Sequence, residues 1–243
     1  MLNKLQVILN KSPFLPHFIY MGHIHFGIPR ELTVQLQKKS GIRNFVETGT
    51  YLGKTSAWAA EHFNLVHTIE IAEVLQQRAQ EKYAHLKNIT FHLGDSKTVM
   101  GQIVKSLDGP AFFWLDGHWC GRETGGKNNE CPVMQEIHDA TAIDGSIIFV
   151  DDLRCFVGPQ PFDSGECYPN VTELIDLIRS RRPGYYITIH DDTLIAVPGN
   201  LREVIDADWV ANYRRRFPNT LSNRIDKWWW RIKNLNFRNE YGS

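Results

Sequence analysis

Residues 45–56 read Phe-Val-Glu-Thr-Gly-Thr-Tyr-Leu-Gly-Lys-Thr-Ser, and residues 68–71 read Thr-Ile-Glu-Ile. The first segment predicts an apolar strand that enters a turn with glycines at 49 and 53, after which a helix begins. The second predicts another strand, which ends in the carboxylate Glu70 about 20 residues after Gly49. In open α/β folds this arrangement holds an adenosine-like group, because the turn admits the ligand and the acid accepts hydrogen bonds from ribose hydroxyls.

The spacing within the turn distinguishes three ligand-binding motifs. A P-loop requires G-x-x-x-x-G-K-[ST], but Thr48 occupies the position of its first glycine. A dinucleotide fingerprint requires G-x-G-x-x-G, and Tyr51 occupies the position of its second glycine. The remaining pattern, acid-x-Gly-x-x-x-Gly directly after a strand, resembles motif I of class I S-adenosylmethionine-dependent methyltransferases. A turn in which Gly49 and Gly53 only connect strand to helix is the alternative, and the position of Glu70 weighs against it.

The resemblance implies S-adenosylmethionine as the cofactor and a set of residues that bind it. Gly94-Asp95-Ser96 follows the third predicted strand, where methyltransferases of this class commonly hydrogen-bond the adenine ring. A helix N-cap role for Asp95 or Ser96 fits this position equally well. The cofactor-binding residues that the resemblance implies are Glu47, Gly49, Thr50, Gly53, Thr55, Glu70, Asp95, Ser96 and Asp116.

Further acids follow the fourth and fifth predicted strands. Asp116 comes after one apolar run, and Asp151 and Asp152 come after the next. Parallel strands place such residues at one rim, where converging carboxylates need a cation or protons, and oxygen ligands suit magnesium. The three acids resemble the metal site of cation-dependent O-methyltransferases of the catechol, caffeoyl-CoA and macrocin types. An Asp pair after a strand can instead cap a helix or turn.

The resemblance also implies the chemistry and exposes one departure. Catechol-type enzymes carry a lysine base three residues after the first acid, and Trp119 occupies that place here. His118 is the nearest replacement as general base beside Asp116, because an imidazole titrates near neutral pH. A rim histidine that only hydrogen-bonds a loop is the alternative. The expected reaction is O-methylation of a small or glycosylated acceptor that bears a diol, such as a sugar, a catechol-like ring or a natural-product hydroxyl, with Mg²⁺ assisting.

Strand and helix patterns alternate along the chain, which predicts an α/β fold with a mainly parallel sheet. Only Asp191 and Asp192 separate the last two strands, so these must form an antiparallel hairpin. The prediction is a Rossmann-like, doubly wound, seven-stranded sheet with a terminal antiparallel strand, as in class I methyltransferases. The expected organisation is an N-terminal extension (1–40), a methyltransferase domain (41–198) and a helical, aromatic-basic C-terminal extension (199–243). The predicted strands are 43–48, 66–71, 89–93, 111–116, 146–151, 185–190 and 193–197, and the predicted helices are 29–39, 53–62, 72–86, 131–142 and 170–181.

Composition narrows the partners and the location. The 27 basic and 27 acidic side chains cancel, so no overall field attracts nucleic acid, and no nucleic-acid partner is expected. No signal peptide or membrane-length apolar run is visible, and the four cysteines lack C-x-x-C spacing, which together favour the cytoplasm. Basic and aromatic residues alternate in 227–233, including three consecutive tryptophans. This tail favours intramolecular or homodimer packing first, peripheral membrane contact second and nucleic acid last.

Two other function classes stay open at this point. A P-loop-like nucleotide-binding protein would place Lys54 on phosphate and Asp116 on magnesium. A non-catalytic protein with the methyltransferase fold would bind a partner through its aromatic tail. Binding of S-adenosylmethionine, of ATP or of neither separates the three.

Overall fold

A computed structural model describes residues 27–117, 131–158 and 168–216, together with Ile225 and Trp228. Its centre is one seven-stranded sheet. The strands are β1 (Asn44–Thr48), β2 (Leu65–Glu70), β3 (Ile89–Leu93), β4 (Ala111–Leu115), β5 (Ile147–Val150), β6 (Tyr185–His190) and β7 (Thr193–Pro198). All seven predicted strands are present, with ends that agree to within one residue.

The strand order is β3-β2-β1-β4-β5-β7-β6. Strands β1 to β5 pair in parallel, whereas β7 is antiparallel to both of its neighbours, β5 and β6. This is the class I methyltransferase sheet, so the predicted fold class is confirmed. The antiparallel strand is the last one along the chain, but it is inserted between β5 and β6 instead of lying at an edge. All of its residues from Thr193 to Val197 are buried, as expected for an inner strand.

Helices connect the strands, and the sequence prediction missed one of them. Helix α4 connects β3 to β4, which pair with different strands but run in the same direction and therefore need a crossover. An interior glycine and several β-branched residues lower its intrinsic helix propensity. The helices in the described part of the chain are α1 (Arg30–Ser40), α2 (Lys54–Ala59), α3 (Glu73–Lys82), α4 (Ser96–Ser106), α5 (Val133–Ala140), α6 (Val171–Arg181) and α7 (Arg202–Arg216), with 3-10 turns at Leu153–Phe156 and Gly199–Leu201.

The sheet is buried most deeply at its centre. Every residue of β1, β4 and β5 is buried, as expected for parallel strands covered on both faces. Phe112 contacts aromatic rings on both sides, with Phe45 in stacked geometry and Phe149 edge-on. These rings fix the three central strands relative to each other, and with them the rim at which the strands end.

The chain separates into two compact units, one up to Arg202 and one from Glu203 onward. The first contains the whole sheet, and the described part of the second is most of α7 together with Ile225 and Trp228. Among the described residues, no helix combines the length and the apolarity that a membrane crossing requires. The N-terminal residues 1–26, the predicted base His118 and most of the tail lie outside the described residues.

Candidate cofactor site

The turn after β1 requires glycine for a steric reason. Gly49 has φ +81°, and a Cβ built on it would lie 2.2 Å from the carbonyl oxygen of Asp116. The turn therefore passes directly against the backbone that leaves β4. Gly53 also has a positive φ (+68°) where α2 begins, and a Cβ there would lie 3.0 Å from the ring of Tyr83. Both glycines of the motif are needed by the fold itself.

Glu70 lies across this turn, at the end of β2. One carboxylate oxygen accepts the backbone N–H of Tyr51 at 2.8 Å, and the other accepts that of Ala72 at 2.9 Å. The residue is only 6% exposed. An ionised carboxylate has about four acceptor positions. Two therefore remain for a ligand after the backbone bonds are made, and the backbone holds the group in a fixed orientation.

Beneath the turn, Glu47 is the centre of a buried hydroxyl network. Its Oε2 atom accepts hydrogen bonds from Thr68 Oγ1 at 2.8 Å and from Ser56 Oγ, and the Thr55 hydroxyl also bonds this carboxyl. The hydroxyl oxygens of Thr50 and Thr68 lie 2.6 Å apart. The network connects the end of β1, the start of α2 and the middle of β2. Three of the predicted cofactor residues, Glu47, Thr50 and Thr55, thus support the turn from below.

Burial dominates the titration of Glu47. Because the carboxyl is fully enclosed, its pKa rises from 4.5 to about 7. The hydroxyl donors partly offset this rise, and the charge of nearby Glu70 adds to it. The unfolded chain releases this proton at lower pH than the folded chain does. The contribution to stability is therefore present below pH 4.5 and is lost as the pH rises towards 7.

We predict that Glu47→Gln removes this pH dependence. The neutral amide can accept the same hydroxyl bonds but does not ionise. Between pH 4.5 and pH 8 the free energy of unfolding of the wild type should therefore fall by up to about 3 kcal/mol relative to that of the variant. Urea unfolding at several pH values measures the difference. Glu73→Gln, at an exposed position in α3, is the matched control and should show no such trend. Parallel stability curves for Glu47→Gln and wild type would contradict the assignment.

The turn after β3 provides the helix cap that the sequence also allows at this position. Asp95 is the N-cap of α4, and its Oδ1 atom accepts the N–H of Lys97 at 2.9 Å, so the capping interpretation is confirmed. Ser96 is the first residue of that helix. The N–H of Gly94 donates to the carbonyl of Glu70 at 2.9 Å. This bond holds the start of the Asp95 turn against the end of β2.

The strands that supply the predicted metal ligands end close together, and the side chain of Asp152 is paired with a cation. The N–H of Asp116 donates to Thr48 Oγ1 at 3.1 Å, and that of Asp151 donates to the Leu115 carbonyl at 3.0 Å. Asp152 forms an ion pair with Arg154 at 2.5 Å. Arg154 also pairs with the buried carboxylate of Asp192, so its guanidinium bridges two acids.

One acid of the expected magnesium set already has a cationic partner, Arg154. In the described ranges no group of three or more His, Cys, Asp or Glu side chains is arranged to hold a metal ion. The guanidinium of Arg154 supplies the positive charge that one acid of the expected set would otherwise take from a cation. Magnesium at Asp116, Asp151 and Asp152 stays a prediction from the sequence, and we derive no step through it.

Sequence reasoning missed one carboxyl at this rim. Glu136 is 1% exposed, and its Oε1 atom lies 2.9 Å from a Cβ built on Gly117, the residue after Asp116. Helix α5 buries Val133, Glu136, Ile137 and Ala140, which follow the i, i+3, i+4, i+7 spacing of an apolar face. A single glutamate within that stripe was the signal that could have identified it.

Comparison with solved structures finds similarity to methyltransferases at low sequence identity. An O-methyltransferase from Bacillus cereus in complex with SAH shares 17% identity over 81% of this chain and 88% of its own, with a TM-score of 0.49. A proposed caffeoyl-CoA O-methyltransferase from Staphylococcus aureus shares 19% identity over 82% of this chain and 100% of its own, with a TM-score of 0.47. The N-methyltransferase NodS from Bradyrhizobium japonicum shares 12% identity over 70% of this chain and 93% of its own, with a TM-score of 0.44. No protein-family model and no curated protein matches the sequence.

Proposed function

We propose that the chain is an S-adenosylmethionine-dependent methyltransferase. The observation that carries the proposal is the Glu70 carboxylate, held by two backbone N–H groups beside the Gly49 turn and with acceptor capacity left over. A carboxylate in this position can accept the two vicinal hydroxyls of a ribose. The class I sheet places it at the carboxyl end of β2, where ligands of open α/β folds bind.

The residues present fit the cofactor without a phosphate-binding loop. The turn from Gly49 to Gly53 is closed by a bond from the Gly53 N–H to the Thr50 carbonyl at 2.8 Å. Tyr51 takes a positive φ of 46° within it, and its N–H points to Glu70. The turn is therefore already organised around a carboxylate, which would repel a phosphate group and accept a neutral sugar.

Bound S-adenosylmethionine would supply an electrophilic methyl group on a sulfonium centre, so the protein has to orient the acceptor and help to remove its proton. Glu70 would hold the ribose, and the turn beginning at Gly94 would lie against the base. Asp116 leaves β4 beside Gly49 and would face the reacting end, with His118 as the proposed base. Glu47 and its hydroxyl partners would keep the turn rigid and remain below it.

We propose an oxygen acceptor on a small or glycosylated molecule with a diol. This finer assignment rests on the resemblance of Asp116 and the acids after β5 to O-methyltransferases of the catechol and macrocin types. An N-methyl acceptor uses the same fold, so the acceptor atom has to be determined by experiment. Screening catechols and sugar diols against primary amines, with labelled cofactor, would decide between them.

The discriminating experiment for the cofactor is a calorimetric titration of S-adenosylmethionine, S-adenosylhomocysteine and ATP into the full chain. We expect both sulfur nucleosides to bind at least about 100-fold more tightly than ATP, a difference of about 2.7 kcal/mol. Tighter binding of ATP would support the P-loop alternative, with Lys54 on phosphate. Binding of none of the three would favour the non-catalytic alternative.

A further inference from the structure

Two histidines meet on the outer part of the sheet. His67 lies in β2 and His92 in β3, the edge strand of the sheet. In the parallel register His67 pairs with Thr90, and Ile69 pairs with His92. Side chains alternate along each strand, so the two imidazoles share one face as diagonal neighbours. Both are partly exposed.

The two ring nitrogens that face each other lie close to the separation of two imidazole nitrogens bound to one metal ion. Nδ1 of His67 lies 3.1 Å from Nε2 of His92, and the ring centroids are 5.3 Å apart. Two imidazole nitrogens bound to one zinc ion, each at about 2.05 Å and at a tetrahedral angle, are about 3.3 Å apart. The strands therefore already hold the two nitrogens within a few tenths of an ångström of a chelating separation.

The protonation state also suits metal binding. Burial lowers the pKa of His67 to about 4, with the neighbouring His92 adding to the effect, and burial lowers the pKa of His92 as well. Both rings are thus neutral at pH 7, so neither imidazole has to release a proton to solvent before it binds a metal ion. One ring donates its N–H to the other in the metal-free contact. Binding a metal would require only that this ring move its proton to its other nitrogen.

We propose that His67 and His92 form a two-histidine site for a borderline divalent transition metal, with zinc as the ion. Imidazole nitrogens favour zinc, copper and nickel over magnesium or calcium. Among the described residues no third His, Cys, Asp or Glu completes a cluster, so water fills the remaining positions and the ion exchanges. The bound ion joins β2 to the edge strand three residues before Glu70, and so stabilises the strand that carries that acid.

Zinc titration of the full chain tests the site. Because the chain has ten histidines, the measurement compares stoichiometries: wild type should bind one more Zn²⁺ than either His67→Gln or His92→Gln. Loss of one ligand should weaken this site by at least about tenfold. Added Zn²⁺ should raise the melting temperature of the wild type by more than that of either variant. His85→Gln, at an exposed position outside the sheet, is the matched control and should behave as wild type.

A second reporter does not depend on stability. Co²⁺ bound by two imidazoles should give a visible absorption band in the wild type that is weakened in both variants. If His67→Gln does not fold, His92→Gln, on the edge strand, still provides the test. Equal Zn²⁺ stoichiometry in all four proteins would overturn the proposal. Variants that lose stability while zinc has no effect on the wild type would also overturn it, because the pair would then be a structural hydrogen bond only.

Discussion

Gly49→Ala should destabilise the protein by about 2–5 kcal/mol and abolish measurable binding of S-adenosylhomocysteine. The new Cβ would approach the carbonyl oxygen of Asp116 to 2.2 Å, a contact with backbone that no side-chain rotation can relieve. The left-handed backbone (φ +81°) adds about 1–2 kcal/mol, and overpacking of this kind costs about 1–3 kcal/mol. Displacing the turn would also move the Tyr51 N–H away from Glu70.

Gly41→Ala is the matched control for that substitution. Gly41 ends α1 with a similar positive φ of 70°, but a Cβ on it would meet nothing within 4 Å. It should therefore lose only the conformational part, about 1–2 kcal/mol, and bind the ligand normally. Urea unfolding and calorimetry measure both quantities. Equal losses in the two variants would show that backbone conformation alone explains the effect and that the close approach at Asp116 is unimportant.

Glu70→Gln should weaken binding of S-adenosylhomocysteine by about 10–100-fold while leaving the fold intact. A hydrogen bond to a charged acceptor contributes about 1.5–3 kcal/mol, and each 1.4 kcal/mol is a factor of ten in affinity. The amide also replaces one acceptor by an NH₂ donor, which would face the backbone N–H of Tyr51 or of Ala72. The orientation of the group at the end of β2 is lost together with its charge.

The ligand can be varied as well as the residue. If Glu70 accepts the ribose hydroxyls, wild type should prefer adenosine to 2′,3′-dideoxyadenosine, and Glu70→Gln should bind the two about equally. Glu73→Gln, three residues later and exposed, removes an acid of the same size and should keep the preference of the wild type. A preference that persists in Glu70→Gln would show that another group reads the sugar.

The parallel strands were predictable because their apolar runs are long and are bounded by turn residues and acids. The position of β7 in the sheet could not be predicted from the local sequence. The two-residue link after His190 predicts its antiparallel direction, but its position between β5 and β6 depends on pairing with a strand distant in sequence. Helix α4 was missed for a similar reason. Its own propensity is low, and it is stabilised by the Asp95 cap and by burial of Met100 and Ile103 in the core.

The candidate site was predictable in its positions and less so in its contacts. Glu70 could be identified from its distance to Gly49, since that spacing is fixed by one strand-helix-strand unit. Sequence alone could not show that Glu47 lies beneath the turn, because its enclosure depends on hydroxyls from β2 and α2. Nor could it show that Arg154 pairs with Asp152, since the bridge is completed by Asp192 in the turn of the β6–β7 hairpin.

A crystal structure of the full chain with S-adenosylhomocysteine tests the central claim most directly. We predict that both ribose hydroxyls lie within hydrogen-bond distance of the Glu70 carboxylate, with the turn from Gly49 to Gly53 against the ligand and the base beside the turn that begins at Gly94. A crevice that stays closed by protein side chains at saturating ligand would contradict this account. So would a nucleoside whose ribose is bound elsewhere on the sheet.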